Sequence, residues 1–205
     1  MTGLFVMILM SLVLILAVNA ADSSSARYGG ARASSAALVA VVGIPSLVGL
    51  AMPSFYDAAK EVPEQIGRHG EWWRLVTATV VQDSRAGAAF NIVALALVAY
   101  AATGVLGWRI TWLTFWLCGI LGNALAWAFD VETAGSSGAT FALAGGIAIA
   151  TLIAGRRGGF VTGRRASLAA AGCLIGSAVL WLGGNVHGMA TAEGAVLVSA
   201  FELLA

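Results

Sequence analysis

A serine flanked by small residues opens one of the apolar segments of this 205-residue chain. Ser137 stands in the run Gly135-Ser136-Ser137-Gly138, and the residues after it are almost all apolar. If that segment is a helix, free backbone N–H groups and the positive end of the helix dipole lie beside the hydroxyl and would stabilise an oxyanion formed there. On its own the run is more typical of a helix cap than of a catalytic serine.

A histidine begins the last apolar segment of the chain. His187 is one of two histidines, and we predict that it lies at the same end of the helical bundle as Ser137. An imidazole in such apolar surroundings is costly, and it usually faces a protein interior or a water-filled cavity. A base beside a serine hydroxyl can accept its proton during nucleophilic attack. A lone histidine is more often structural, so the equal depth of the two segment ends carries the prediction of a Ser-His pair.

Small residues recur every four positions in the segments that follow Ser137 and His187. Such faces let helix backbones approach closely. The repeat comprises Gly138, Ala142, Gly146 and Ala150 in one segment, and Ala190 and Gly194 in the other. Alanine and glycine are abundant in this chain, so some of these repeats can arise by chance. We nevertheless predict a close contact between the two helices.

The composition indicates that these elements lie in lipid. Hydrophobic residues make up 60% of the chain and charged residues only 10%, against roughly a quarter charged in an ordinary soluble domain. The net charge is +1, and no basic block is dense enough to follow a nucleic-acid backbone. The lipid bilayer is therefore the main predicted partner, and nucleic acid is not expected.

Seven apolar segments are long enough to be considered as membrane helices. The first, helix A, could instead be a signal peptide, because Val18-Asn19-Ala20 resembles a cleavage site, but it lacks a positively charged start. The predicted bounds are about 3–20 for A, 36–52 for B, 86–104 for C, 108–129 for D, 137–154 for E, 166–182 for F and 187–205 for G.

The distribution of arginines predicts the orientation of the chain. Loops rich in arginine tend to stay in the cytoplasm, and here they alternate along the sequence. The residues concerned are Arg27, Arg32, Arg109, Arg156, Arg157, Arg164 and Arg165. The opposite loops carry most of the acidic residues, so Ser137 and His187 are expected to open to the extracytoplasmic side. The long connection from Pro53 to Arg85 is expected to lie in the outer interface as a half-submerged loop, with Trp72 and Trp73 as aromatic anchors.

A set of residues spread over segments B to G carries a family resemblance. In order along the chain they are Glu71-Trp72-Trp73-Arg74, Asn91, Gly135-Ser136-Ser137-Gly138-Ala139, His187 and Gly194. In identity and order they resemble the rhomboid family of intramembrane serine proteases, over roughly residues 36 to 205. The resemblance implies a Ser-His dyad without an acidic third member, which cuts transmembrane protein substrates. No cofactor or metal is predicted.

The same resemblance implies a role for each candidate site residue. Ser137 would attack the peptide carbonyl, and His187 would take its proton. Asn91 would donate from its side-chain amide to the oxyanion, beside the backbone N–H of Ser137, while Gly135 and Gly138 flank the nucleophile.

One position departs from the family's pattern. Rhomboids often carry a histidine four residues before the asparagine, where this chain has Gly87. An oxyanion donor is then missing, and removal of one donor can cost about a hundredfold or more in rate. Gln82 or water could substitute. Phe141, one turn after Ser137, resembles the aromatic residue that packs on the imidazole in this family, although simple core packing would explain it equally well.

Several conspicuous residues are predicted to have no catalytic role. Trp108, Trp112 and Trp116 form a stripe on helix D that is typical of an aromatic packing or lipid-facing surface. Glu193 follows His187 by six residues and so lies roughly 240° around the helix from it. Four ionisable residues of the long outer loop lack metal-ligand spacing and are expected to form a solvated surface. They are Asp57, Glu61, Glu64 and His69.

These observations predict an all-α polytopic membrane protein. Residues 1–34 would form an N-terminal transmembrane helix and a cytoplasmic linker, and residues 35–205 a rhomboid-like six-helix core. One alternative is a catalytically silent rhomboid-like protein that binds transmembrane clients, which Gly87 favours. A transporter or channel is a second alternative, but such proteins often carry two related halves, and no internal repeat is visible here.

Overall fold

The computed structural model describes residues 31–156 and 164–204. The predicted helix A and the middle of the loop between helices E and F lie outside the described residues. Within the described ranges the chain is helical, with long helices α1 (Ala31–Ala51), α5 (Arg85–Leu106), α6 (Trp108–Ala128), α7 (Ser137–Arg156), α8 (Arg164–Leu182) and α9 (Val186–Leu204). Four short elements between α1 and α5 are α2 (Pro53–Ala59), α3 (Pro63–His69), α4 (Arg74–Thr77) and a 3₁₀ turn (Ala78–Val80).

The long helices confirm the predicted segments B to G to within a few residues at most ends. Among the described residues, α5, α6 and the Arg32–Ala51 part of α1 are long and apolar enough to cross a membrane. The apolar parts of α7 and α8 are somewhat shorter.

Helix α7 forms the centre of the bundle. It packs against α5, α6, α8 and α9, and nearly every side chain in its middle is buried. A helix surrounded in this way must be apolar on all faces, and the Ala- and Gly-rich sequence of α7 meets that condition with small side chains. The central position fixes Ser137, its first residue, between the surrounding helices.

The close contact predicted between α7 and α9 is present. A Cβ atom added at Gly194 would overlap the backbone carbonyl of Ala142, a member of the predicted repeat. A second close approach falls outside that repeat, because a Cβ at Gly145 would overlap the carbonyl of Thr191. The repeat residue Gly138 is more loosely placed, with Ala190 Cβ 4.0 Å away from such an added atom. Packing of α7 on α9 therefore depends on Gly145 as well as on the four-residue repeat.

Successive long helices run in opposite directions. The N-terminal ends of α5, α7 and α9 therefore lie at one end of the bundle, together with Ser137 and His187. The N-terminal ends of α1, α6 and α8 lie at the other end, where Trp112 of α6 donates through Nε1 to Ser34 Oγ of α1 at 2.9 Å. Arg32, Arg109 and Arg164 belong to this second end.

The aromatic stripe of α6 is only partly a packing surface. Trp112 and Trp116 lie against the hydrophobic core, and Trp116 meets Phe115 edge to face at a centroid distance of 5.4 Å. Trp108 remains 55% exposed.

The connection from Pro53 to Arg85 is more ordered than a simple loop. It contains the four short elements, and Trp72 and Trp73 project from it with about half of their surfaces exposed. Arg74 is buried and holds the connection together, donating to the carbonyls of Asp57 at 2.7 Å and Lys60 at 2.8 Å. Its Nε also donates to Glu71 Oε2 at 2.5 Å.

The prediction of a solvated acidic surface on this connection is wrong for Glu61. Glu61 is fully buried, whereas Asp57, Glu64 and His69 are exposed as expected. An antiparallel bridge pairs Glu61 with Thr133 in the segment before α7, and this pairing turns the carboxyl group inward. The pairing joins residues 72 positions apart in sequence, so no local pattern could reveal it.

Candidate active site

Ser137 is presented by a sharp turn at the start of α7. Gly135 has a φ of +136°, a backbone conformation that favours glycine because it has no Cβ. The Gly135 N–H donates to the Ala78 carbonyl at 2.8 Å, which fixes the turn against the 3₁₀ element. As the first residue of α7, Ser137 has a backbone N–H without a partner inside the helix. The helix end therefore offers a donor beside the hydroxyl.

Ser137 and His187 are in hydrogen-bond contact. Ser137 Oγ lies 3.0 Å from His187 Nε2. The other ring nitrogen, Nδ1, lies 3.1 Å from Asn185 Oδ1, which also accepts the His187 backbone N–H at 2.9 Å. Because that amide oxygen only accepts, Nδ1 carries the ring proton and Nε2 is left to accept from the serine. The arrangement suits proton transfer from Ser137 to His187.

Asn185 was not identified from the sequence. Its signal is an asparagine two residues before a histidine at the start of a helix, where its side chain can accept backbone N–H groups. Asparagines with this capping role are common at helix starts. Only the contact with the His187 ring, which the sequence does not show, distinguishes Asn185 from them.

Phe141 lies against the imidazole, as the sequence pattern indicated. Its ring centroid is 4.9 Å from that of His187, with the planes tilted by 57°. Phe141 is also almost completely buried, so the same side chain fills the core and restricts rotation of the imidazole.

Asn91 is close to the serine turn but already has a partner. Asn91 Nδ2 donates to Gln82 Oε1 at 2.7 Å, and Gln82 Nε2 donates to Ser136 Oγ at 3.1 Å. A Cβ added at Gly135 would lie 3.7 Å from Asn91 Nδ2, which places the amide nitrogen beside the turn. Since an amide nitrogen carries two hydrogens, one engages Gln82 and the other can serve a ligand.

Gly87 lies in the first turn of the helix that carries Asn91. Its N–H donates to Ser84 Oγ at 3.1 Å in an N-cap. A Cβ added there would lie 2.9 Å from Ser84 Oγ and 3.0 Å from Asp83 Oδ1. Both are ends of side chains that can move, so a larger residue at this position requires only local adjustment.

A cavity of about 370 Å³ extends from these groups to the connection between Pro53 and Arg85. Ser137, His187, Gly135 and Gly138 line it, so four of the five predicted site residues share one space. Lys60 and Glu132 also line this cavity and form an ion pair at 3.3 Å. The fifth predicted residue, Asn91, reaches the same turn from α5.

Glu193 does not contact the imidazole, as predicted from its position on α9. Both ring nitrogens of His187 are engaged by Ser137 and Asn185. The two carboxyl oxygens of Glu193 are buried and have no hydrogen-bond partner among the described residues.

The long apolar helices define a multi-pass membrane protein. A comparison with protein-family models matches residues 69–200 to the Rhomboid domain. The match covers more than half of the 205 residues, and the chain therefore belongs to the rhomboid family. Comparisons with curated proteins and with solved structures gave no match.

Proposed function

We propose that this rhomboid-family protein is an intramembrane serine endopeptidase that cleaves transmembrane protein substrates. The observation that carries the proposal is the 3.0 Å contact between Ser137 Oγ and His187 Nε2, with the opposite ring nitrogen held by Asn185. A nucleophile, a base and a group that orients the base are the parts of an activated serine.

The reaction follows from these positions. Ser137 Oγ attacks the carbonyl carbon of the substrate while His187 Nε2 takes the hydroxyl proton. When the tetrahedral intermediate collapses, the C–N bond breaks and His187 returns that proton to the leaving amine. Water then attacks the acyl-enzyme in the same manner, releases the new carboxyl end and restores Ser137.

Charge on the substrate oxygen develops in the transition state, and donors must be ready for it. The backbone N–H of Ser137 at the start of α7 is one donor, and the second amide hydrogen of Asn91 is another. Their effect is greatest in surroundings that exclude bulk water, because electrostatic interactions there are less screened.

Cleavage of a model single-pass substrate by purified protein in liposomes tests the proposal. We expect the wild type to release product and Ser137→Ala to release none. Ser199→Ala is a matched control, because Ser199 donates to Ala195 within α9, away from the cavity. Equal product from Ser137→Ala and the wild type would reveal a contaminating protease and refute the assignment.

A catalytically silent rhomboid-like protein that binds transmembrane clients is the second candidate. Gly87 favours it, because this position cannot supply a side-chain donor. Crosslinking the same substrate to wild type and Ser137→Ala separates the two functions. Capture of the substrate by both proteins without any cleavage would establish the silent alternative.

Removal of the side chain that orients the imidazole should slow the reaction. Asn185→Ala is expected to lower kcat by about five- to tenfold, as one hydrogen bond contributes about 1 kcal/mol. KM should change little, since Asn185 lies behind His187 and is not itself one of the residues that line the cavity. Asn185→Asp retains an acceptor for Nδ1–H and should recover most of the rate. If Asn185→Ala cleaves as fast as the wild type, the orienting role is incorrect.

The arginine-rich end of the bundle should face the cytoplasm. We expect Val131→Cys, at the end that carries Ser137, to react with a membrane-impermeant maleimide on intact cells, whereas Arg109→Cys should react only after permeabilisation. The background should lack Cys118 and Cys173, which are both buried. Labelling of Arg109→Cys on intact cells would reverse the proposed orientation.

A further inference from the structure

Glu61 is a buried carboxyl residue outside the Ser-His pair that the proposed reaction does not use. It lies between α2 and α3 in the outer connection, and its side chain is fully buried. Its backbone N–H donates to the Thr133 carbonyl at 3.0 Å, and Thr133 Oγ1 is in contact with its carboxyl Oε2. The other oxygen, Oε1, is buried without a hydrogen-bond partner among the described residues. A buried carboxylate with one oxygen unsatisfied is costly, whereas a neutral carboxylic acid is much less so.

The count of hydrogens at Thr133 gives independent information on the state of Glu61. Thr133 Oγ1 lies between Glu61 Oε2 and Asn123 Oδ1, which is 3.1 Å away. The orientation of the Asn123 amide is fixed, because its Nδ2 faces the Leu75 carbonyl at 2.8 Å and Thr79 Oγ1 at 3.0 Å. Asn123 Oδ1 can therefore only accept. A threonine hydroxyl has one hydrogen, so it cannot donate to both neighbours.

A proton on Glu61 completes a series of hydrogen bonds from Glu61 through Thr133 to Asn123. If Glu61 is protonated, its Oε2–H donates to Thr133 Oγ1, the Thr133 hydroxyl donates to Asn123 Oδ1, and the Asn123 amide donates to Leu75 and Thr79. An ionised Glu61 would instead capture the Thr133 hydrogen and leave Asn123 Oδ1, a buried acceptor on α6, without a donor. The hydrogen bond between Thr133 and Asn123 is then lost.

The charges around Glu61 favour the neutral acid. Burial raises the pKa of Glu61 from its ordinary value of 4.5 to about 7, and the negative charge of Glu132 adds to the increase, against the lowering effect of the Thr133 hydrogen bond. The two described cations of this part of the connection, Lys60 and Arg74, have other partners. Lys60 pairs with Glu132, and Arg74 pairs with Glu71 and donates to the Lys60 carbonyl. The groups presented by α6 and the 3₁₀ turn, Asn123 and Thr79, are neutral.

We propose that Glu61 is a positioning residue that acts as a neutral hydrogen-bond donor, and that its ionisation loosens the segment from Thr133 to Gly135 that presents Ser137. Thr133, Ala134 and Gly135 line the same cavity as Ser137 and His187, so movement of this segment alters the position of the serine. The catalytic consequence rests on the proposed function, whereas the protonation and the loosening do not.

The sign of the pH effect follows from the elevated pKa. Below pH about 4.5 folded and unfolded chains both carry the proton, and the contribution of Glu61 to stability is fully present. Between pH about 4.5 and about 7 the unfolded chain has released the proton while the folded chain still holds it, so the stabilising contribution of Glu61 declines as the pH rises. Above pH about 7 Glu61 is ionised in both states. Deprotonation of the folded protein, and with it the loosening of the segment, is therefore centred near neutral pH.

Glu61→Gln separates the donor from its titration, because the Gln amide donates to Thr133 at every pH. We expect infrared difference spectra below pH about 6 to contain a carboxylic-acid C=O band in the wild type that Glu61→Gln lacks. The rate of hydrogen exchange at the Gly135 amide should be compared between the two proteins at equal pH. The two rates should be the same at acidic pH, and above pH about 8 exchange should be severalfold faster in the wild type than in Glu61→Gln. Glu64→Gln, which alters an exposed carboxylate paired with Arg68, is the matched control and should behave as wild type.

A second variant protects the test against misfolding. Thr133→Val keeps the shape of the side chain but cannot relay the hydrogen bond. The ratio of its Gly135 exchange rate to that of Glu61→Gln should therefore not depend on pH.

Labelling of Ser137 by a fluorophosphonate tests the catalytic consequence. The ratio of the labelling rate in Glu61→Gln to that in the wild type should rise severalfold as the pH increases through neutral. If no variant labels and none cleaves, the proposed function fails, while the infrared and exchange contrasts still decide the role of Glu61. Identical exchange in wild type and Glu61→Gln at all pH values, or no carboxylic-acid band, would overturn the inference.

Discussion

Asn91→Ala should lower kcat on the order of a hundredfold while leaving KM and the melting temperature close to wild type. The amide nitrogen lies beside the serine turn, and its interaction with a substrate oxygen strengthens only when charge develops there. With Gly87 unable to donate through a side chain, few groups share this task, so the loss of one has a large effect. Turnover and thermal unfolding should be measured on the same preparation.

The contact between Asn91 and Gln82 provides the control for this prediction. If Asn91 serves only to order Gln82, then Gln82→Ala should reproduce the effect of Asn91→Ala, and the double variant should be no slower than either. If Asn91 donates to the oxyanion directly, Asn91→Ala should be much slower than Gln82→Ala. If Asn91→Ala instead loses turnover together with about 1 to 3 kcal/mol of stability, Asn91 has a structural role.

Gly87→His offers a gain-of-function companion to this experiment. Position 87 lies one helical turn before Asn91, and the neighbouring Ser84 and Asp83 side chains can move to admit a larger residue. An added imidazole donor should speed cleavage and reduce the penalty of Asn91→Ala. Unchanged rates in a folded Gly87→His protein would show that the missing donor does not limit the proposed cleavage.

Gly194→Ala is expected to have the second large effect, although it adds a single methyl group and changes no reacting atom. The new Cβ would overlap the Ala142 carbonyl, a backbone atom that cannot rotate away, so α7 and α9 must separate. Overpacking of this kind costs about 1 to 3 kcal/mol. Because α7 carries Ser137 and α9 carries His187, a displacement of about 1 Å can reduce activity about a hundredfold. Gly194→Leu should be worse on both measures.

Gly43→Ala is the matched control for the packing prediction. Gly43 also lies within a long helix, but among the described residues a Cβ there would meet only Ile92 Cδ1, at an ordinary 3.9 Å. It should therefore retain both activity and melting temperature. Wild-type activity in Gly194→Ala would contradict the close contact between α7 and α9.

The sequence by itself determined the class of protein and the positions of its long helices. Apolar runs of membrane length and the low content of charge are properties of composition and need no knowledge of the fold. The proximity of Ser137 and His187 could also be predicted, because alternating helices place the start of α7 and the start of α9 at the same end. The end of a membrane helix fixes how deep its residues lie in the bilayer. Equal depth was sufficient to predict that Ser137 and His187 lie close together.

The contacts that determine the function of each side chain were decided only by the tertiary structure. Asn185 acquires its role from the orientation of the imidazole, and Asn91 is held by Gln82, a partner that helical periodicity does not specify. Glu61 appeared to be one of several solvated carboxylates until its pairing with Thr133, far along the chain, placed it in the interior. Sequence patterns report the period and depth of an element, whereas burial and hydrogen-bond partners depend on which loops and helix faces meet in space.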